Sequence, residues 1–255
     1  MSTPRLTPID AQTLWTAAKI PNDTVLVFGF AGVPTDVEQA VGEARARAGE
    51  CADLTVRIDD RGGWGYPALV RCDVDSAQFV VHDRDDATWS GCLAAVCGLI
   101  ADQVDVAVAA WRMHVFAGVD GVPGVEGPGT AAAFQITHSL EGGGRQSQPA
   151  ALMFGRDGIV PEIAPPRVGL AQMPLLGLRA ARAHRQLVAD TEAGLLPLSA
   201  PQCPVLRTNG LPTGGRGLRT VVRARDELSR PTITVAALAG ISEALAGHLR
   251  SLGDD

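Results

Sequence analysis

The sequence predicts a mixed α/β domain, on three observations. Short apolar runs rich in strand formers, such as Val25 to Phe30 and Trp111 to Ala117, recur along the chain. Between them lie segments with helical periodicity that open on capping residues. Glycine-rich turns join some of the strands directly, so hairpins accompany the alternation of strands and helices, a pattern that does not fix the topology. With 255 residues, 46% of them apolar, the chain is long enough for one large domain or two small ones, with a real core in either case.

The elements follow in order. Thr7-Pro8-Ile9-Asp10 reads as a helix start, with Thr as N-cap, Pro in the first turn and an early acid, and the helix runs to about Lys19 before Pro21-Asn22. The strand Val25 to Phe30 comes next. Thr35-Asp-Val-Glu38 has the capping-box pattern and opens a second helix to about Ala48. Leu54 to Ile58 and Ala68 to Cys72 read as strands around the turn Gly62-Gly63-Trp64-Gly65, and a short strand follows at Phe79 to Val81. A helix from about Thr88 to Ala101 precedes two longer strands, Trp111 to Ala117 and Thr130 to Thr137. Past His138 the pattern turns helical, over Gln148 to Phe154 and Leu175 to Thr191, with Pro-rich linkers at 161–166 and 197–204. Leu218 to Ala224 reads as a further strand. The last helix, Thr234 to Leu252, spaces Val235, Leu238, Ile241, Leu245, Leu249 and Leu252 three and four apart, giving one apolar face.

Composition narrows the function classes. A net charge of −6, with Lys19 the only lysine and the arginines scattered, argues against a broad cationic surface for nucleic acid. Five cysteines, odd in number and without zinc-type or C-x-x-C spacing, predict reduced thiols and no metal site. Uninterrupted apolar stretches reach about nine residues, as from Leu93 to Ala101, against the ~20 of a membrane span. The N-terminus lacks a signal-peptide pattern, and the expected location is cytoplasmic.

Few motifs carry chemistry. Gly118, Gly121, Gly124 and Gly127 fall at every third place, which fits a hairpin loop better than four isolated collagen triplets. Asp83, Asp85 and Asp86 lack the ligand spacing of a calcium loop and read as a solvated acidic turn. No phosphate-binding loop and no nucleophile elbow is present. Of five histidines, His82, His184 and His248 have no notable sequence neighbours, and His114 reads as a structural residue within its strand. His138 stands apart. It closes the strand Ala131 to Thr137 and enters Ser139-Leu-Glu-Gly-Gly-Gly144. An imidazole on a Gly-rich turn at a strand's end is held by a rigid element, and imidazole titrates close enough to neutrality to take a proton there. Spacing alone leaves a structural or surface histidine open as the other reading.

Several blocks resemble the bacterial wax ester synthase/diacylglycerol acyltransferase family, within the condensation-domain superfamily of CoA-dependent acyltransferases. Leu6-Thr-Pro-Ile-Asp-Ala11 is similar to that family's opening helix. Val104-Asp105 with Ala109-Ala110-Trp111 and Arg-Met-His-Val-Phe resembles the stretch leading to the strand before its active site. Thr137-His138-Ser-Leu-Glu-Gly142-Gly143 falls where the family carries His-His-x-x-x-Asp-Gly. Arg219-Thr-Val-Val through Leu252 resembles the first strand and helix of the family's second half.

The resemblance implies a chloramphenicol-acetyltransferase-like N-terminal domain over 1–200, then a linker and the start of an incomplete, truncated second domain over 201–255. It implies an O-acyltransferase that moves a fatty acyl group from acyl-CoA, as co-substrate, to diacylglycerol or a long-chain alcohol. His138 would be the general base, with no other cofactor. At the motif's first-histidine and aspartate positions this chain has Thr137 and Gly142, with Glu141 one residue out of register. The alternative is a non-catalytic member of the fold, a relic or the partner-binding half of a split enzyme whose second polypeptide supplies the rest. Either way the last helix is expected to lack its sheet and pack poorly. Peripheral attachment to a membrane or lipid droplet would suit such substrates, although no basic amphipathic helix points to it.

Overall fold

The computed structural model describes residues 4–60, 66–82, 87–140, 147–156, 172–197, 206, 215–223, 227 and 232–253. They form two compact units, Met1–Met173 and Pro174–Asp255.

The first unit is mixed α/β. Its main sheet has four strands: β1 (Thr24–Ala31), β4 (Phe79–His82), β5 (Trp111–Val119) and β6 (Gly129–Ile136), in the order β1-β6-β5-β4. β6 is antiparallel to both neighbours, while β4 runs parallel to β5, so the sheet is mixed as the element pattern predicts. β2 (Val56–Asp59) and β3 (Ala68–Arg71) pair in a separate two-stranded sheet.

Register sorts the side chains. Trp111, Met113, Phe134 and Ile136 point to one face, where they pack with Ala48 and Cys51 at the end of α2 (Val37–Glu50) and with Ala150 and Met153 of α4 (Ser147–Met153). Trp111 is fully buried, and its indole N–H donates to the Leu54 carbonyl at 2.8 Å, so the largest core side chain keeps its one polar atom satisfied. The opposite face carries Arg112, His114 and Gln135, and α3 (Trp89–Leu99) contacts the same two strands. A smaller cluster of Leu6, Ala11 and Ile58 ties α1 (Pro8–Ala17) to the two-stranded sheet.

Caps fix the helix starts. Thr7 accepts from the Asp10 N–H and Thr88 from the Gly91 N–H. For α2 the cap is Asp36, not the Thr35 of the capping-box reading. Asp36 is extended, and its carboxylate accepts from the Gln39 N–H at 2.9 Å. α1 ends at Ala17, slightly before the expected Lys19, and β2 begins at Val56, two residues late.

The β5–β6 hairpin explains the triplet glycines. Gly118, Gly121, Gly124 and Gly127 all have φ between 68° and 75°, the left-handed region that glycine enters without steric penalty. Gly129 answers to space instead, because a Cβ there would lie 2.6 Å from the Phe30 carbonyl oxygen across the β1–β6 ladder.

In the second unit, α5 (Met173–Glu192, beginning one residue before the boundary) and α6 (Ile233–Ser251) are the described helices. The expected strand Leu218 to Ala224 is corrected over its described part: 218–223 have no regular structure. Val221 and Val222 are exposed, and among the described residues no ladder pairs them, so strand propensity there finds no described sheet to act on. α6 exposes Val235, Leu238, Ile241 and Leu245 while Leu249 is buried.

Candidate functional site

His138 opens a single 3-10 turn, His138–Leu140, just past the end of β6. The turn is pinned from both sides. Thr137 N–H donates to the Ala110 carbonyl at 2.9 Å, and Leu140 packs against both apolar clusters of the first unit. Thr137 and Ser139 are each 1% exposed, whereas His138 between them is half-buried. Alternation at the strand's end therefore sets the imidazole apart from its two buried neighbours.

Its orientation comes from β1. Thr24, the first residue of that strand, lies across the ladder from Ile136, and its Oγ1 is 3.1 Å from His138 Nδ1. In the tautomer where Nδ1–H donates to the hydroxyl, Nε2 carries the lone pair, as a general base requires.

Beside this end of the sheet runs a line of polar side chains on the α3 face. Gln135, fully buried in β6, donates through Nε2 to Asp23 Oδ2 and to the Asp102 carbonyl, both at 2.8 Å. Asp23 also accepts from the Val104 N–H at 2.7 Å. Burial pushes the Asp23 carboxyl above its ordinary pKa, against these hydrogen bonds. Next along the face, His114 Nδ1 lies 3.1 Å from His82 Nε2, and the His82 ring stacks on Phe116 at 4.3 Å. Burial, then the His82 and Arg112 charges, lowers the His114 pKa from 6.5 to about 4, which keeps the ring neutral at pH 7. His114 Nε2 and Gln135 Oε1 are both buried, and the Gln135 side chain works against the lowering of the His114 pKa.

A cavity of about 530 Å³ lies on the other face, between α2, α4 and the sheet. Phe30, Val33, Val41, Met113, Ala132 and Phe154 are among the residues that line it, with Glu43 and Arg47. Its lining includes Phe30 to Pro34 and Thr130 near the Ala31–Gly129 end of β1 and β6, and His138 is not among the lining residues.

The expected site residues divide as follows. His138 opens the turn, and Thr137 immediately precedes it, with its hydroxyl 3.5 Å from that of Ser139. Gly142, Gly143 and Glu141 lie outside the described residues, as do the acidic run Asp83 to Asp86 and Cys203. Among the described residues, Cys51, Cys72, Cys92 and Cys97 form no disulfide. Among the described residues there is no cluster of three or more metal-ligating side chains, and no helix is long and apolar enough to cross a membrane.

Sequence reasoning missed Thr24 as the group that holds His138, and it read His82 as a residue without notable neighbours. The structure corrects the second reading. Both contacts arise from strand pairing, between β1 and β6 and between β4 and β5, which no local pattern in the chain encodes.

No protein-family model matches the chain, and no curated protein does. Solved structures do. The chain is similar to a wax ester synthase/diacylglycerol acyltransferase from Marinobacter aquaeolei VT8, at 18% identity and a TM-score of 0.47, covering 78% of this chain and 48% of that one. It is also similar to the condensation domain of the monacolin K polyketide synthase MokA, at 14% identity and a TM-score of 0.46, covering 85% and 49%. A third likeness is to the X-domain from teicoplanin biosynthesis, at 15% and 0.45, covering 72% and 40%. The chain spans about half the length, or less, of these structures.

Proposed function

We propose that this chain belongs to an acyl-CoA-dependent O-acyltransferase in which His138 is the general base. The observation that carries the reading is the placement of His138: a half-buried imidazole, on a turn pinned by buried neighbours, with Nδ1 at 3.1 Å from Thr24 Oγ1. The motif resemblance around Thr137 to Gly143 supports it from the sequence.

The chemistry is acyl transfer. Nε2 takes the proton of the acceptor hydroxyl as its oxygen bonds to the thioester carbonyl carbon. The tetrahedral intermediate then expels the CoA sulfur, and the imidazolium returns the proton to it. The products are an ester and free CoA, and the base is restored. A proton acceptor within about 2.6–3.2 Å of the hydroxyl contributes typically 100- to 10,000-fold. The acceptor proposed is diacylglycerol or a long-chain alcohol.

A second reading has its own observation. α6 exposes five large apolar side chains, with Ile241 63% and Leu238 59% exposed, which suits the partner-binding half of a split enzyme or a non-catalytic member of the fold.

Free CoA released from palmitoyl-CoA, with 1-hexadecanol or dioleoylglycerol present, separates the two. Acceptor-dependent release with the matching ester detected by mass spectrometry is expected. Release no faster than in buffer would overturn catalysis by this chain and leave the second reading.

A further inference from the structure

Thr24 can hold His138 only if the start of β1 is itself held, and hydrogen bonds from three other segments fasten it. Asp23 Oδ2 accepts from the Val104 N–H at 2.7 Å and from Gln135 Nε2 at 2.8 Å. Gln103 Oε1 accepts from the backbone N–H groups of Asn22 and Asp23, at 2.8 and 3.1 Å, and the Asn22 side-chain amide donates to the Thr13 carbonyl at 3.0 Å. Gln135 Nε2 also donates to the Asp102 carbonyl at 2.8 Å, so one amide ties the start of β1 and β6 to the segment that follows α3.

The carboxylate is the unusual member of this clasp. Both donors converge on a single oxygen of a half-buried residue, where a charge is costly unless it is hydrogen-bonded. Packing alone does not call for an anion there, but the position does. Asp23 immediately precedes Thr24, so the peptide it fastens is the one that carries the hydroxyl 3.1 Å from His138 Nδ1. Hydrogen bonds to an ionised group are about twice as strong as neutral ones. A loose strand end would let that hydroxyl drift, and ~1 Å of misplacement can cost about 100-fold in rate.

We infer that Asp23 is a positioning residue for His138 and acts through Thr24: its carboxylate locks the first peptide of β1, and that lock sets how the imidazole is aimed and which nitrogen carries its proton. The catalytic consequence rests on the acyl-transfer reading, whereas the effect on the imidazole does not.

The side-chain nitrogen shifts of His138, measured by NMR on the isotopically labelled full chain at pH 8, test it, with His138→Ala giving the assignment. A neutral imidazole carries one proton, and the two shifts report which nitrogen holds it. The parent is expected to hold mainly the Nδ1–H form. Asp23→Ala should move both shifts toward a mixture of tautomers, and Gln103→Ala should move them in the same direction. Asp23→Asn, which keeps an acceptor oxygen, should restore most of the parent pattern. In a Thr24→Val background Asp23→Ala should add nothing, because its route to the ring is already cut. Asp36→Ala, which removes the α2 cap and weakens the fold away from the turn, should leave the shifts as in the parent. In acceptor-dependent CoA release, Asp23→Ala should lower kcat about 10-fold with the KM for palmitoyl-CoA unchanged. The inference is overturned if the parent is already a tautomer mixture, or if Asp23→Ala and Gln103→Ala keep the parent shifts. It is equally overturned if Asp36→Ala moves them as far, or if the Asp23→Ala effect persists in full beside Thr24→Val. No CoA release from the parent would end the acyl-transfer reading alone, and the shifts would still decide the role of Asp23.

Discussion

Thr24 and His114 show how single residues set the behaviour of the site. The Thr24 hydroxyl lies 3.1 Å from one nitrogen of His138, and in the proposed acyl transfer it would orient the ring, where ~1 Å of misplacement can cost about 100-fold. Thr24→Val keeps the β-branched shape and removes the oxygen. It is expected to lower the kcat of CoA release about 10-fold or more with the KM for palmitoyl-CoA unchanged, and an unaltered kcat would show that Thr24 does not position the ring. His114 acts on stability instead. Its folded pKa of about 4 lies below the ordinary 6.5, so the fold disfavours the charged form. The neutral ring's contribution is intact above pH 6.5 and is lost as pH falls from 6.5 towards 4, amounting to about 3 kcal/mol at most. Chemical denaturation of the parent and His114→Gln at pH 7 and pH 5 checks the sign. The parent should lose more stability than the variant over that interval.

The legibility of the elements tracked how local their causes are. Thr7 and Thr88 cap through bonds spanning three residues, so α1 and α3 were readable from short patterns. The glycine triplets marked a hairpin because positive φ is a local property. Leu218 to Ala224 failed for the converse reason, since strand propensity is realised only against a partner strand and the described residues provide none. α6 shows a helix whose pattern is legible while its packing is not. Its periodicity is clear, yet Val235, Leu238, Ile241 and Leu245 stay exposed, and at ~25 cal/mol per Å² such surface withholds a few kcal/mol. Hydrogen exchange on the full chain should therefore find α6 amides exchanging at least ~100-fold faster than those of β6, which is buried along its whole length. Equal protection would mean that the apolar face of α6 is covered.

Across the whole molecule, the mixed α/β class was visible in the alternation of strands and helices, but the sheet order was not. The order β1-β6-β5-β4 brings the first strand against the last, across more than 100 residues of chain, and that closure delivers Thr24 to His138. It also gathers Asp23, Gln135, His114 and His82 on one face, a polar line spread over four separate segments of sequence. The histidine itself could be singled out from its place at a strand's end. What holds it could not, because the anchor lies 114 residues away. The proposed acyl transfer turns on that one imidazole, and the most direct measurement compares acceptor-dependent CoA release by the parent chain with that by His138→Ala. A loss of 100-fold or more is the predicted result, and equal rates in the two proteins would contradict it.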